Sequence, residues 1–238
     1  MIKEERGPIR LNEMREELQL ETLRQDASSI KFIDNPSLKV QLEAVKYDGY
    51  TIQYIDNPSL EVQIEAVKQN GYAIYYINNP SELVKLEAVR ENGLVIEYIE
   101  NPTEEVQLEA VKQIGSAIEY IDNPSLKVQL EAVRDSGYAI AYIDNPSLKV
   151  QLEAVREDGR SIKFIKNPSD YIKSIMDVLK TSHRTIYVLH EPNKEPLFSI
   201  GCQYNVAKDY LIWRIYNLDG GLEENPYRQE YLDIINRY

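Results

Sequence analysis

The sequence predicts a mostly α-helical fold: an α-solenoid of 22-residue repeats, each with a helix and a short helix, followed by a small α+β C-terminal domain. The solenoid is predicted because Asn-Pro recurs at a spacing of 22 residues from Asn35 to Asn167. A fixed period of this length is typical of stacked supersecondary units. The C-terminal domain is predicted because the repeat stops after Asn167 and strand-like patterns follow.

The expected domain organisation follows from where the repeat begins and ends. Residues 1–12 form an N-terminal arm, and residues 13–166 form seven repeats, of which the first is a degenerate, polar cap. Residues 167–182 are expected to form a terminal solenoid helix with Ile172, Ile175, Met176 and Leu179 on one face. Residues 183–238 are expected to form a βββα domain, which at about 55 residues is marginal alone and should dock on the last repeat.

Each repeat contains its own helix signals. With asparagine as repeat position 1, the unit reads Asn-Pro-Ser-x-x-Val-Gln-Leu-Glu-Ala-Val-Lys-x-x-Gly-x-x-Ile-x-Tyr-Ile-Asp. In the first full copy we expect Asn35 to cap the helix, Pro36 to take its first position and Gly49 to end it in a left-handed conformation. Residues 50–55 are expected to form a short α or 3₁₀ segment, with a strand as the alternative.

Two features of the helix predict how the repeats are held together. The glutamines at repeat position 7 lie within the apolar arc, where an unpaired amide is costly, so we expect them to clamp repeats onto turn carbonyls. Glutamate at position 9 and lysine or arginine at position 12 form pairs three residues apart on the opposite, solvent-facing side. We interpret these pairs as a solvated ion-pair face and not as a binding site.

Three positions of the short segment concern recognition. Position 20 is aromatic in every copy and is expected to pack between layers with its polar tip in water. Positions 16 and 19 vary, so packing does not dictate their residues and they are free to carry specificity. We therefore predict a partner-binding surface made of the following residues at these two positions: Tyr50, Gln53, Tyr72, Tyr75, Leu94, Glu97, Glu119, Tyr138, Arg160 and Lys163.

The C-terminal domain is expected to contain three strands and one helix. The strands are predicted at 185–189, 197–200 and 210–216 because β-branched and aromatic residues are concentrated there between turn signals. Asn225-Pro226 should cap the final helix, whose apolar face carries Tyr227, Tyr231, Ile234 and Ile235.

Composition excludes several classes of function. There are 27 basic and 39 acidic residues, and a net charge of −12 opposes nucleic-acid binding. No apolar run approaches the roughly 18 residues that a membrane span needs, and the charged first residues do not resemble a signal peptide. With a single cysteine, Cys202, no intrachain disulfide is possible, which fits a cytoplasmic location.

A catalytic role finds little support in the sequence. His183, His190 and Cys202 allow a Cys-His nucleophile pair in principle, so an enzyme centred on Cys202 and His190 is an alternative. Phosphate loops, paired-histidine metal motifs and Cys-x-x-Cys are absent from the sequence. We expect no enzymatic activity, no cofactor and no metal.

The motif Asn-Pro-Ser-x-x-Val-Gln-Leu-Glu-Ala-Val over residues 13–168 resembles a repeat family of unknown function found in bacteria, phages and giant viruses. Its layout is similar to the leucine-rich variant repeats, which pair one α-helix with one short 3₁₀ helix. The resemblance implies the architecture but no activity. It leads us to expect a protein-binding module, and the phage and viral distribution of the family suggests a virus-encoded inhibitor of a host defence protein. The alternative is an acidic nucleic-acid mimic that blocks a nuclease or DNA-binding protein.

Overall fold

The computed structural model describes residues 8–180, 185–200, 203–209 and 228–238. Within it the chain forms two compact units, residues 1–121 and residues 122–238. The predicted fold class is confirmed, since helix and 3₁₀-helix repeats precede a small antiparallel sheet. Among the described helices, none has the length and apolar character that a bilayer crossing requires.

The described part of unit 1, from residue 8 onwards, contains five α-helices and five 3₁₀ helices in strict alternation. The α-helices are α1 (Pro8–Gln25), α2 (Leu38–Tyr47), α3 (Leu60–Gln69), α4 (Glu82–Glu91) and α5 (Glu104–Gln113). The 3₁₀ helices are η1 (Ala27–Phe32), η2 (Gly49–Tyr54), η3 (Gly71–Tyr76), η4 (Gly93–Tyr98) and η5 (Gly115–Tyr120). The short segment is therefore a 3₁₀ helix, and the strand alternative was wrong.

The core of unit 1 is built from the same repeat positions in each copy. In α2, Val40, Ala44 and Val45 are fully buried, and Ile52 of η2 is buried beside them. Each α-helix from α2 to α4 packs on the next α-helix, and each 3₁₀ helix from η2 to η4 packs on the next α-helix. The small alanine allows close helix packing, while the β-branched residues fill the space between layers.

The helix start lies two residues later than the sequence predicted. Ser37 is the N-cap of α2, with its Oγ accepting from the Val40 N–H at 3.4 Å. Asn35 instead has a left-handed backbone, with φ 49°, and the same holds for the asparagines of the next five Asn-Pro pairs. Asparagine tolerates this conformation better than most residues, so Asn35 makes the turn and the serine caps the helix.

The role predicted for the repeat glycine was also wrong. Gly49 begins η2, and its φ lies outside the left-handed region. The need for glycine comes from the neighbouring repeat. A Cβ at Gly93 would lie 2.4 Å from the carbonyl oxygen of Ala110, well inside contact distance. Glycine is therefore present because two backbones approach closely there.

Unit 2 contains the last repeats, a four-stranded sheet and a final helix. Its helices are α6 (Leu126–Asp135), η6 (Gly137–Tyr142), α7 (Leu148–Glu157), η7 (Gly159–Phe164), α8 (Asp170–Ile175) and α9 (Arg228–Ile235). The antiparallel sheet has the order β1 (Met176–Lys180), β2 (Thr185–Leu189), β3 (Leu197–Ile200) and β4 (Gln203–Ala207). Ile186, Val188 and Phe198 of the sheet form one core with Ile235 and its neighbours in α9.

The structure differs from the terminal helix that was predicted over 167–182. Within the described residues 167–180, only Asp170–Ile175 is helical, and from Met176 to Lys180 the chain is a strand in which Met176 pairs with Leu189 of β2. A short apolar run fits either structure, and pairing with β2 favours the strand here. Strands β2 and β3 and helix α9 are confirmed, whereas β4 was not predicted. The strand predicted at 210–216 lies outside the described residues.

The C-terminal sheet docks on the last repeat, as expected. Strands β2, β3 and β4 contact η7, and β4 also contacts α7. An ion pair joins helix α7 to the turn that follows β2, since the Arg156 Nε donates to the Glu191 Oε2 at 3.1 Å. The Glu191 side chain is only 9% exposed, and hydrogen bonding to Arg156 lowers the pKa of its carboxyl.

Candidate partner-binding surface

The 3₁₀ helices place the variable positions on one edge of each repeat. A 3₁₀ helix has about three residues per turn, so positions 16 and 19 lie one above the other. In η3, Ala73 and Ile74 are buried, Tyr72 is half-buried, and Tyr75 and Tyr76 are 65% and 39% exposed. Burial of the intervening residues thus turns the position 16, 19 and 20 side chains outward.

In unit 1 these side chains form one connected group of rings, which we call the tyrosine cluster: Tyr50, Tyr72, Tyr75, Tyr76 and Tyr98. Tyr50 meets Tyr76 of the next repeat at a centroid distance of 6.0 Å, and Tyr72 meets Tyr98 in the same way at 6.0 Å. Tyr75 lies between the two pairs, 5.1 Å from Tyr76 and 5.4 Å from Tyr98. All four contacts are edge-to-face, the geometry that aromatic rings prefer.

The other predicted residues of unit 1 surround the tyrosine cluster. Gln53 is exposed and donates its Nε2 to the Tyr50 carbonyl at 2.9 Å, while Leu94 is half-buried. Glu97 and Glu119 are exposed. The Glu97 carboxylate raises the pKa of the Tyr98 hydroxyl, so this part of the surface is acidic.

In unit 2 the predicted residues form a different, basic patch. Tyr138 meets Phe164 of the next repeat at 5.2 Å, edge to face. Arg160 lies 5.4 Å from the Tyr138 ring centroid, and the Lys163 Nζ lies 4.8 Å from that of Phe164. The buried Asp158 holds Arg160 in place by accepting from its backbone N–H at 2.9 Å and from its Nε at 2.9 Å. Burial, with the bond to Asp158, raises the pKa of Tyr138.

Sequence reasoning missed that position 20 belongs to the same surface. Tyr76 and Tyr98 were interpreted as interlayer packing, and the rings do contact the neighbouring layer. They also remain about two-fifths exposed, and Phe32 in η1 is 80% exposed. The contact joins position 16 of one repeat to position 20 of the next, and this 26-residue spacing is a signal that the sequence already contained.

The solvent-facing charges of the α-helices are paired with each other. Arg90 lies 2.6 Å from Glu87 within its own repeat and 3.5 Å from Glu109 of the next. Arg134 lies 3.8 Å from Glu131 and 2.6 Å from Glu153 in the same arrangement. The arginines are about half exposed, but the glutamates are half-buried and so less exposed than the predicted solvent-facing side implied. Partly exposed pairs contribute little free energy each, and here they neutralise one another along the helices.

Of the three candidate catalytic residues, the structure describes His190. His190 lies in unit 2, with its Nε2 3.3 Å from the Asp177 carboxylate, and the Tyr238 hydroxyl donates to the same carboxylate. Cys202 and His183 lie outside the described residues. Within the described ranges, no three histidine, cysteine or acidic side chains are grouped as a metal site would require.

Comparison with known families gives one match. Residues 38–83 match the family model described as a domain of unknown function (DUF4116). A comparison with curated proteins and with solved structures gave no match to the chain. The matched segment spans α2 to the start of α4, so the chain is similar to this domain of unknown function over about two of its repeats.

Proposed function

We propose that the chain is a non-catalytic protein-binding module and that the partner contacts the tyrosine cluster. One observation carries the proposal: five tyrosines of three successive repeats are joined by ring contacts while their faces remain partly exposed. Tyrosine offers a large contact area at little entropic cost and is enriched at interface hot spots. Exposed aromatic surface of this extent is a feature of interaction sites.

The ring contacts also prepare the surface for binding. Because Tyr75 is in contact with both Tyr76 and Tyr98, its side chain has fewer accessible rotamers before the partner arrives. Binding then costs less conformational entropy than it would for isolated side chains. The buried positions beneath are nearly constant between repeats, so they act as a rigid support on which positions 16 and 19 vary.

The paired helix charges favour this proposal over a nucleic-acid mimic. A mimic needs rows of carboxylates that face a DNA-binding protein without intervening cations. On α4 and α5, Arg90 lies between Glu87 and Glu109 and pairs with both. The acidic row is therefore interrupted between these two helices, and Arg134 interrupts it in the same way between Glu131 and Glu153.

The finer proposal concerns the partner and the compartment. From the resemblance to repeats found in bacteria, phages and giant viruses, we propose that the partner is a host defence protein and that the chain inhibits it in the host cytoplasm. The single cysteine fits a reducing compartment. Affinity purification from the native host with mass spectrometry identifies the partner.

A paired substitution then tests the surface. Tyr72→Ala with Tyr75→Ala should weaken binding of the purified partner by about 30-fold or more, which corresponds to about 2 kcal/mol. Tyr47→Ala is the matched control, because Tyr47 is 48% exposed but lies at the end of α2. Circular dichroism checks that both variants fold. Equal binding by the double variant and the control would show that the surface lies elsewhere.

A further inference from the structure

In the first and last repeats, a lysine of the chain lies beside an aromatic ring at position 20. In η1, the Lys31 Nζ lies 4.9 Å from the ring centroid of Phe32 and 5.9 Å from that of Tyr54 in the next repeat. In η7, the Lys163 Nζ occupies the equivalent place, 4.8 Å from Phe164. Both lysines are at repeat position 19 and both rings beside them are at position 20. The repeat geometry therefore brings a cation onto the negative face of an aromatic ring.

The middle repeats keep the rings but not the cation. Position 19 is Gln53, Tyr75, Glu97 and Glu119 from η2 to η5, while position 20 stays tyrosine. Among the described residues, no lysine or arginine lies over the ring of Tyr76 or Tyr98. Instead, the exposed carboxylate of Glu97 lies beside Tyr98. In η3 the ring of Tyr75 holds the place of the lysine, in contact with Tyr76 and Tyr98. In η4 this place is held by Glu97. The exposed rings therefore have an acidic side chain beside them where the first and last repeats have a lysine.

We propose that the tyrosine cluster binds an extended protein segment whose arginine or lysine side chains lie on the exposed rings of Tyr75, Tyr76 and Tyr98. These cations would contact the rings as Lys31 and Lys163 contact the position 20 rings of the first and last repeats. This inference rests on the proposed function and names the chemistry of the partner. The rings supply cation–π attraction, and Glu97 supplies a charge of the opposite sign. An acidic partner would meet repulsion at the same residues.

The repeat spacing sets the spacing of the basic residues in the partner. Packed helices lie about 8–10 Å apart, so Tyr76 and Tyr98 recur at about that interval. A segment in the polyproline II conformation rises about 3.1 Å per residue with three residues per turn, so three residues cover about one repeat and every third side chain lies on the same face. A basic residue at every third position of the partner would place one cation on each ring in register.

A synthetic peptide tests this with the full-length chain. The probe is a fluorescein-labelled ten-residue peptide with arginine at positions 1, 4, 7 and 10 and serine between them, and its control has glutamine in place of arginine. Fluorescence anisotropy at about 50 mM salt should show saturable binding of the arginine peptide at concentrations below about 1 mM. It should show none for the glutamine peptide. Failure of the arginine peptide to bind, or equal binding of both peptides, would overturn the inference.

Two charge-matched variants separate this site from general electrostatic attraction. Glu97→Lys places a lysine at position 19, where Lys31 and Lys163 already stand, so the fold should accept it. The new lysine should lie over the Tyr98 ring, compete there with the arginines of the peptide, and weaken peptide binding by about tenfold or more. Glu105→Lys is the control because its position on α5 carries lysine in other repeats, such as Lys127 in α6. It makes the same charge change away from the rings and should weaken binding by less than about twofold. Equal losses in the two variants would overturn the inference.

The outcomes also separate this inference from the proposed function. If the arginine peptide fails to bind but Tyr72→Ala with Tyr75→Ala abolishes binding of the native partner, the protein-binding proposal holds and the basic-segment inference is wrong. If the peptide binds in the predicted manner but the purified partner is insensitive to both substitutions, the cation site exists and the proposed partner surface is wrong.

Discussion

Replacing Gln151 with alanine should destabilise unit 2 by about 2–3 kcal/mol, because this side chain joins two repeats in a buried setting. Gln151 is only 6% exposed. Its Nε2 donates to the Pro146 carbonyl of its own turn at 2.9 Å, and its Oε1 accepts from the Ser169 backbone N–H of the next repeat at 2.9 Å. The turn carbonyl thus belongs to the glutamine's own repeat, as it also does for Gln41, Gln63, Gln107 and Gln129, so the expected clamp onto a carbonyl of a neighbouring repeat was wrong. At Gln151 the Oε1 makes the link between repeats instead.

The magnitude follows from these two hydrogen bonds. Each neutral bond contributes about 0.5–1.5 kcal/mol net, and a buried group left without a partner costs about 1–3 kcal/mol. In Gln151→Ala, the Ser169 N–H and the Pro146 carbonyl both lose their partner. Gln129 donates to the Pro124 carbonyl at 2.9 Å, and within the described ranges that is the hydrogen bond its amide makes. We therefore expect Gln129→Ala to cost about 1 kcal/mol, less than Gln151→Ala.

The free energies of unfolding of these variants are measured by denaturant titration, with circular dichroism as the readout. The control is Glu131→Ala, which removes an exposed pair with Arg134 at 3.8 Å and should cost less than about 0.5 kcal/mol. Hydrogen exchange of the Ser169 amide should accelerate in Gln151→Ala but not in the control. Equal losses of stability for Gln151→Ala and Glu131→Ala would refute the assignment of the helix faces.

Three further predictions concern other parts of the chain. Gly93→Ala should lower the free energy of unfolding by about 2–3 kcal/mol, because the new methyl would lie 2.4 Å from the Ala110 carbonyl oxygen; an unchanged melting temperature would contradict this. Burial and the bond to Asp177 raise the pKa of Tyr238 to about 12 from an ordinary 10, so the fold favours the neutral phenol and loses stability as the pH rises from 10 to 12. Tyr238→Phe should remove that part of the alkaline loss in melts across this range, and an identical alkaline profile would argue against it. The full chain should give no gel shift with DNA or RNA at submicromolar concentration and low salt, because its net charge is −12; a clear shift would show a basic patch that overrides this charge.

The repeat made the fold predictable, because each buried position is occupied by the same residue type in copy after copy. Val40, Ala44 and Val45 recur as Val62, Ala66 and Val67, so a single helix face explains every copy. The cap was not predictable in the same way. Asparagine and serine both make good N-caps, and the choice depends on the left-handed backbone of Asn35, which the sequence pattern does not reveal.

Contacts between residues far apart in sequence explain the other differences between the sequence predictions and the structure. Residues 172–179 fit a helical face, but Met176 pairs with Leu189 thirteen residues later, and the strand is favoured by that pairing. For the candidate surface, variation at positions 16 and 19 indicated Tyr75, which is 65% exposed, and Tyr72, which is half-buried. It did not indicate Tyr98, because the contact that includes this ring is made between repeats and local periodicity does not describe it.

The end of the repeat array explains why we assign binding to the repeats and not to the C-terminal sheet. The position 12 cations Lys68, Arg90 and Arg134 pair with the position 9 glutamate of the next repeat, but after Arg156 that position is the buried Ile175. Glu191, from the turn between β2 and β3, supplies the missing carboxylate. Strands β2, β3 and β4 cover η7, which would otherwise expose an unpartnered layer. The sheet thus has a structural role that explains its presence, whereas Tyr75 remains 65% exposed beyond its contacts with Tyr76 and Tyr98.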